Sequence, residues 1–461
     1  MNILILTNHL KNFAGSEIQA LEIYEYFKQN NHVVKIYANY IGDPIKCYFQ
    51  NEDIISDIDH IDLNNFDLVW SQHCIFARLF KNKIYDNLKL KLISVHLSPF
   101  ELLELSSFSY MNQLNATFVA NSEETKQKLL EFLIPEDKIL VSGNPAPDAF
   151  KQAHSQKTLQ KILVVSNHVP KEIFKAADIL RKHHITIDFL GIGNQNKERV
   201  TPNLINQYDV VITIGKTVQY GLLSQIPIYN YDHFGGCGYL LSENFEKAQF
   251  YNFSGRGFNQ KTAEEIAEEI QNNFSLGQKF SSEFNKYKDF TLSHFIEKLL
   301  KTVTSSSINK QESQLIKLSY PLEEKFSCTF VSLENSHEYN QHLRESLEVL
   351  NDEISKLKQE KQNLIFQIKK LKTITPTIHT NHNLILKEIY KSPSYLIIRA
   401  FKKINWKLRN RPKKPLYYPQ NSTEGYLEAI KILTSTCWTL LAPIHAIFNI
   451  FKKIKTFKHG N

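Results

Sequence analysis

Short apolar runs alternate with amphipathic stretches over the first three hundred residues, the pattern of α/β units built on a parallel sheet. The apolar runs predict strands at Ile3–Thr7, Val33–Tyr37, Leu68–Ser71, Leu92–Val95, Thr117–Ala120 and Ile139–Val141. A second series follows the polar stretch 151–160, with strands at Ile162–Ser166, Ile187–Leu190, Val210–Thr213 and Ile226–Tyr229. Helices are predicted at 16–29, 123–132 (with Ser122 as N-cap), 170–182 and 216–224, and a helical stretch over 262–303 closes this part. Two successive α/β domains, 1–155 and 156–303, are the simplest organisation.

The pattern then changes. Residues 304–340 begin with Ser305–Ser307 and show no clear period, so a linker is expected. Leu343, Leu350, Leu357, Leu364 and Leu371 recur every seven residues, with Leu347, Ile354, Lys361 and Ile368 interleaved. That a/d seam predicts a coiled coil over 341–373, weakened by the lysine at position 361; a single solvated amphipathic helix is the alternative. Within the remaining tail, 374–461, Ser392–Lys414 mixes apolar and basic residues, and Ile432–Phe451 runs without a charged side chain before Lys452, Lys453, Lys455 and Lys458. The second run is long enough to span a bilayer but carries Thr434, Ser435, Thr436, Thr439, His445 and Asn449. A helix lying in the membrane surface is preferred to a span.

Charge sharpens this division. The chain is +8 overall, yet residues 380–461 hold fifteen Lys/Arg against Glu388, Glu424 and Glu428, leaving the rest mildly acidic. The basic tail therefore points to an anionic partner, and its interleaved apolar positions favour a membrane over nucleic acid. The five scattered cysteines form no metal-binding spacing, and the N-terminus reads as a strand rather than a signal peptide, so a cytoplasmic setting at the inner membrane face is expected.

Candidate chemistry concentrates at strand ends. Gly15 and Ser16 open the first predicted helix, where unpaired backbone N–H groups suit a phosphate or sugar; without a GxGxxG, a plain turn serves as well. Gly215, Lys216 and Thr217 set an ammonium and a hydroxyl at another helix start. Three glycines crowd into Gly235-Gly236-Cys237-Gly238, either a loop approaching a phosphate or a turn. Asp232-His233 could pair as an acid/base, although Asp also suits the turn that follows. Asp57-Ile58-Asp59-His60 is read as a solvated loop, not a metal site.

Several segments, in order, resemble GT-B-fold glycosyltransferases close to family 4, of the kind that builds bacterial surface polysaccharides. They are Gly15-Ser16-Glu17, the strand ending at His73, Val95-His96, the 119–126 segment containing Ser122, and Gly143-Asn144-Pro145-Ala146-Pro147-Asp148-Ala149-Phe150. In the second domain Ser166-Asn167-His168, the run 214–220 and the run 231–236 resemble a nucleotide-sugar site. The resemblance implies two Rossmann-like domains and metal-independent, retaining transfer of a sugar from a nucleotide-sugar donor to a polysaccharide or lipid-linked glycan, with no cofactor. It implies catalytic roles for His96, Lys216 and Asp232. Substrate contacts would come from Gly15, Ser16, Ser122, Ser166, Asn167, His168, Gly215, Thr217, Gln219, His233, Gly235, Gly236, Gly238 and Tyr239. The family's two glutamates are missing, since Ile212 and Tyr220 stand at those positions. A non-catalytic scaffold that binds a nucleotide or glycan, and a sugar-nucleotide epimerase, therefore remain alternatives. The tail would bind the inner membrane face, and the coiled coil would recruit a second copy or a partner protein.

Overall fold

The computed structural model describes residues 1–105, 107–152, 158–191 and 198–374. The first lobe contains β1 (Asn2–Leu10), β2 (Val33–Ile41), β3 (Ile54–Ile55), β4 (Leu68–Gln72), β5 (Leu88–His96), β6 (Thr117–Ala120) and β7 (Ile139–Val141). They pair in parallel in the order β3-β2-β1-β4-β5-β6-β7. The second lobe contains β8 (Lys161–Val165), β9 (Thr186–Leu190), β10 (Val210–Thr213), β11 (Ile228–Asp232) and β12 (Gly235–Tyr239), ordered β12-β11-β10-β8-β9. All of these pair in parallel except β12, which runs antiparallel to β11. The two parallel sheets expected from the apolar runs are thus present.

Both sheets reverse their winding direction once. The chain leaves β1 towards β2 and β3, then returns to the other side at β4; in the second lobe the reversal lies between β8 and β10. Such a reversal opens a crevice beyond the carboxyl ends of the strands, because successive crossovers leave in opposite directions. The central strands are buried on both faces, as Leu4, Ile5 and Leu6 are, which is why they read as unbroken apolar runs.

The lobes are packed together rather than merely tethered. One apolar cluster runs from Ile18 and Leu21 in the first lobe to Val218, Tyr220 and Leu222 in the second. Phe150, at the crossing between lobes, stacks parallel on Tyr220 with centroids 4.1 Å apart. The chain returns by a second crossing, where the Leu292 N–H donates to the Ala146 carbonyl and the Ala146 N–H to that of Phe290, both at 2.8 Å.

The expected linker 304–340 is a correction. Ser305–Ile308 forms β13, which pairs antiparallel with β5 of the first sheet. A 65-residue helix, Lys310–Ile374, follows and passes through the exposed Pro321. Ile316, Tyr320, Glu323, Ser327 and Phe330 recur three or four residues apart, so they share the face that packs on the first lobe. Because two of the five are polar, no apolar stripe marks that face in the sequence. Ser313 donates to the Tyr85 carbonyl at 2.7 Å, Ser327 to that of Cys74 at 3.2 Å, and the Phe330 ring stacks on His9 at 4.9 Å. Through Leu333 the chain forms one compact unit. Residues 341–373, expected as a coiled coil, lie within the same helix. Beyond Ile374, the expected basic tail, with both of its candidate membrane segments, lies outside the described residues. Among the described residues no helix is long and apolar enough to cross a membrane.

Two buried carboxyls brace the first lobe, one on the late helix and one on the segment after β5. Glu323 accepts the Ala77 N–H at 2.8 Å and the Tyr110 hydroxyl; Glu104 accepts the N–H groups of Leu97 and Ser98, the latter at 2.7 Å. Burial raises their pKa values to about 7 for Glu323 and about 8 for Glu104. Each binds a proton more tightly folded than unfolded, so its contribution is complete at acid pH and is lost as pH rises through the folded value. Burial lowers His9 and His96 to about 4, so those rings weaken the fold only below about pH 6.5, the ordinary histidine value. Urea midpoints are therefore expected to fall between pH 6.5 and 8.5, with Glu323→Gln flattening the slope. A flat wild-type profile would mean that both carboxyls are already ionised in the fold.

Candidate functional site

The crevices of the two sheets face each other across one cleft of about 330 Å³. Asn12, Phe13, Ala14 and Gly15 line it from the segment after β1; Ser166, Asn167 and His168 come from the segment after β8. Gly191 follows β9, Ile214 to Thr217 follow β10, and Asp232 with His233 ends β11. Every one of these sits at a strand's carboxyl end, where open α/β sheets bind their ligands.

The loop after β1 is folded around one carboxylate. Glu17, in the first turn of the helix Gly15–Gln29, accepts the N–H groups of Lys11 at 2.5 Å, Asn12 at 2.8 Å and Ala14 at 3.2 Å. This fixes the loop's course and turns the helix start into the cleft. Gly215 is the N-cap of the helix Lys216–Leu223 and has φ 57°, a backbone region that glycine occupies without steric cost.

Lys216 is the side chain whose surroundings differ most from expectation. It lines the cleft, but its ammonium lies 2.5 Å from Glu22 Oε2 and also donates to the Pro145 carbonyl. Glu22 comes from the first lobe's helix Gly15–Gln29, and its other oxygen accepts the Tyr220 hydroxyl. The two side chains are 8% and 1% exposed. Burial pushes the Lys216 pKa down and that of Glu22 up, while the opposite charge of each partner works against both shifts. Beside them Arg199 grips Glu25 through two hydrogen bonds of 2.6 and 2.7 Å. The cation expected to meet a diphosphate is therefore held by a carboxylate across the lobe interface. Glu22 was not singled out from the sequence; its one local signal is its place four residues after Ile18, on the buried face of the helix.

Asp232 is buried and His233 about half exposed. Asp232 Oδ1 accepts the His233 backbone N–H at 2.7 Å and lies 3.3 Å from its Nδ1. A carboxylate on one imidazole nitrogen orients the ring and leaves the other to exchange a proton or hydrogen-bond with a bound hydroxyl.

Of the other expected residues, Gly15, Ser166, Asn167, His168, Gly215 and Thr217 line the cleft, whereas Ser16, His96, Ser122 and Gln219 do not. Ser122 caps the helix Glu123–Glu131 by accepting the Thr125 N–H at 3.3 Å. Gln219 is buried and donates to the Gly143 carbonyl at 3.1 Å. His96 is buried between Phe108 and Phe118, with Nε2 2.9 Å from the Ser94 hydroxyl. His73 is buried and stacked on His9; its Nδ1 accepts the Asn8 N–H at 3.1 Å, which puts the ring proton of the neutral form on Nε2.

The glycine-rich segment is a further correction. Gly235, Gly236, Gly238 and Tyr239, expected among the substrate contacts, form the hairpin strand β12 and do not line the cleft. A Cβ on Gly236 would lie 2.0 Å from the Asn230 carbonyl oxygen, and one on Gly235 2.4 Å from that of Asn259. The small residues are thus demanded by the chain's own close packing. Tyr239 donates its hydroxyl to the Ile270 carbonyl at 3.0 Å.

No family model matches the chain, and no curated protein does. Among solved structures it is similar to Anabaena HepE in complex with UDP and glucose, at 12% identity over 66% of this chain and 99% of that one, with a TM-score of 0.41. It is similar to a Listeria monocytogenes protein assigned as a UDP-N-acetylglucosamine 2-epimerase, at 10% identity over 65% and 94%, with a TM-score of 0.42. A third is an alpha-glucosyltransferase in complex with UDP and DNA, at 10% identity over 66% and 99%, with a TM-score of 0.36. At this level of likeness no residue role transfers.

The burial of Lys216 makes a direct prediction. Lys216→Met strands the Glu22 carboxylate and should cost about 3–5 kcal/mol of stability. Adding Glu22→Gln should recover most of that loss, measured by urea denaturation. A single variant as stable as wild type would mean that the ammonium stands in solvent and that the pair does not hold the lobes.

Proposed function

We propose that this chain is a glycosyltransferase of GT-B architecture, which takes a nucleotide sugar into the interlobe cleft and passes the sugar to a polysaccharide or lipid-linked glycan. The observation that carries this reading is the meeting of both winding reversals on one cleft. Open α/β sheets bind ligands at such points, and a volume of 330 Å³ is of the size that small-molecule sites have. The helix starts at Gly15 and Lys216 offer backbone N–H groups and partial positive charge to a departing diphosphate.

In this reading the second lobe holds the nucleotide through Ser166, Asn167, His168, Gly215 and Thr217, and the first lobe faces the acceptor. Lys216 acts on the leaving group from within its ion pair, as a positioning charge. The acceptor hydroxyl attacks the anomeric carbon, the bond to the diphosphate breaks with its electron pair on the phosphate, and the hydroxyl proton follows to that oxygen. Positioning and leaving-group stabilisation carry the rate. The family-4 resemblance adds retention of configuration and independence from metal. The basic tail would hold the enzyme at the inner membrane face, and residues 341–373 would pair with a second copy or a partner protein.

A second reading is favoured by a specific observation. Ile212 and Tyr220 replace the family's glutamates, and Lys216 is neutralised by Glu22. A scaffold that binds nucleotide without turnover would tolerate both. Full-length protein incubated with a panel of nucleotide sugars separates the two readings. The enzyme releases nucleoside diphosphate, retains activity in EDTA, and gives a product whose anomeric proton shows retained configuration by NMR. Melting-temperature shifts with no turnover on any donor would establish the scaffold, and conversion of the donor sugar without release of nucleotide would establish an epimerase.

A further inference from the structure

Beyond the cleft's edge, one line of side chains crosses from lobe to lobe. Phe100, in the segment after β5, is 64% exposed, and Phe234, in the turn between β11 and β12, is 46% exposed. The Arg256 guanidinium lies between them, 5.3 Å from the Phe100 centroid and 5.6 Å from that of Phe234. Glu124 of the first lobe fixes it, with Nε to Oε1 at 3.1 Å and Nη2 to Oε2. Phe234 in turn lies 3.9 Å, centroid to centroid, from the His233 ring, which lines the cleft beside Asp232. The strip is therefore continuous from the first lobe's surface to the wall of the cleft.

Two large aromatic rings left open to water, on different lobes and bridged by one guanidinium, form a surface built for contact. Its chemistry selects the occupant. The Arg256 charge is balanced by Glu124, so a polyanion gains no net attraction, and an acyl chain would strip the part-buried pair of its remaining polar partners without replacing them. A pyranose ring suits it: the C–H faces lie on the phenyl rings while hydroxyls reach the arginine, His233 and Asp232. Cleft sites that combine aromatic walls with a few convergent polar groups follow the same logic.

We infer that the strip Phe100–Arg256–Phe234–His233 is the platform on which an uncharged saccharide acceptor lies, with its reacting end at His233. This rests on the reading of the cleft as the donor site, and it names the acceptor's class.

The test uses full-length protein and neutral oligosaccharides of two to six hexoses, α- and β-linked, followed by saturation-transfer NMR. Melting-temperature shifts with UDP, GDP, ADP and TDP report the cleft independently. At least one oligosaccharide should bind, with Phe100→Ala and Phe234→Ala each weakening it about fivefold or more and the double variant tenfold or more. Phe100→Trp and Phe234→Trp should keep binding, and the nucleotide shift should be unchanged in all four single variants. Both positions are exposed, so the variants' own melting temperatures verify that the fold is kept. Absence of binding by any neutral oligosaccharide, or undiminished binding by the double variant, overturns the platform, as does Phe100-dependent capture by phosphatidylglycerol vesicles in place of sugar. Sugar binding lost in the alanine variants with no shift from any nucleotide would leave the platform standing and overturn the donor reading instead.

Discussion

The contact between Glu22 and Lys216 sets the geometry on which the rest depends. Each belongs to a helix that begins at the cleft, one per lobe, and neither charge has water to stabilise it. A buried carboxylate and ammonium at 2.5 Å must stay together or leave an uncompensated charge in an apolar interface. The pair therefore fixes the two helix starts relative to each other. Tyr220, whose hydroxyl donates to Glu22 and whose ring stacks on Phe150, extends the constraint to the strand-end crossing between the lobes. The cleft inherits its shape from this contact, and Lys216 lines it as a held charge rather than a mobile one.

How much of this was legible beforehand follows from the range of the forces involved. The strands announced themselves because a parallel strand buried on both faces must be apolar throughout, as in Leu4-Ile5-Leu6. The helix starts at Gly15 and Gly215, and the place of seven expected contact residues along the cleft, were legible because strand-end loops carry local turn chemistry. What stayed hidden was contact between distant segments. Nothing near Lys216 in sequence indicates that a carboxylate 194 positions earlier will neutralise it. The three glycines of β12 signal close approach without saying of what, and the approaching group proved to be the chain's own carbonyls at Asn230 and Asn259.

The segment after residue 303 shows the same limit in another form. Ser305–Ile308 lacks the β-branched run of a typical strand and is held by pairing along β5. The helix after it docks through Glu323 and Ser327 as much as through Ile316, so hydropathy alone saw a linker. Its docking brings Phe330 onto the His9–His73 stack and makes the segment part of the first lobe. The lobe that would receive the acceptor is thus braced by residues that come after the second lobe in the chain.

The central claim is that both lobes contribute to one nucleotide site. Hydrogen exchange of the full-length chain, with and without the nucleoside diphosphate that raises its melting temperature, tests it most directly. The account predicts joint protection of residues 12–18 in the first lobe and of 166–168 and 213–217 in the second. Protection confined to one lobe, or centred away from these segments, would contradict it.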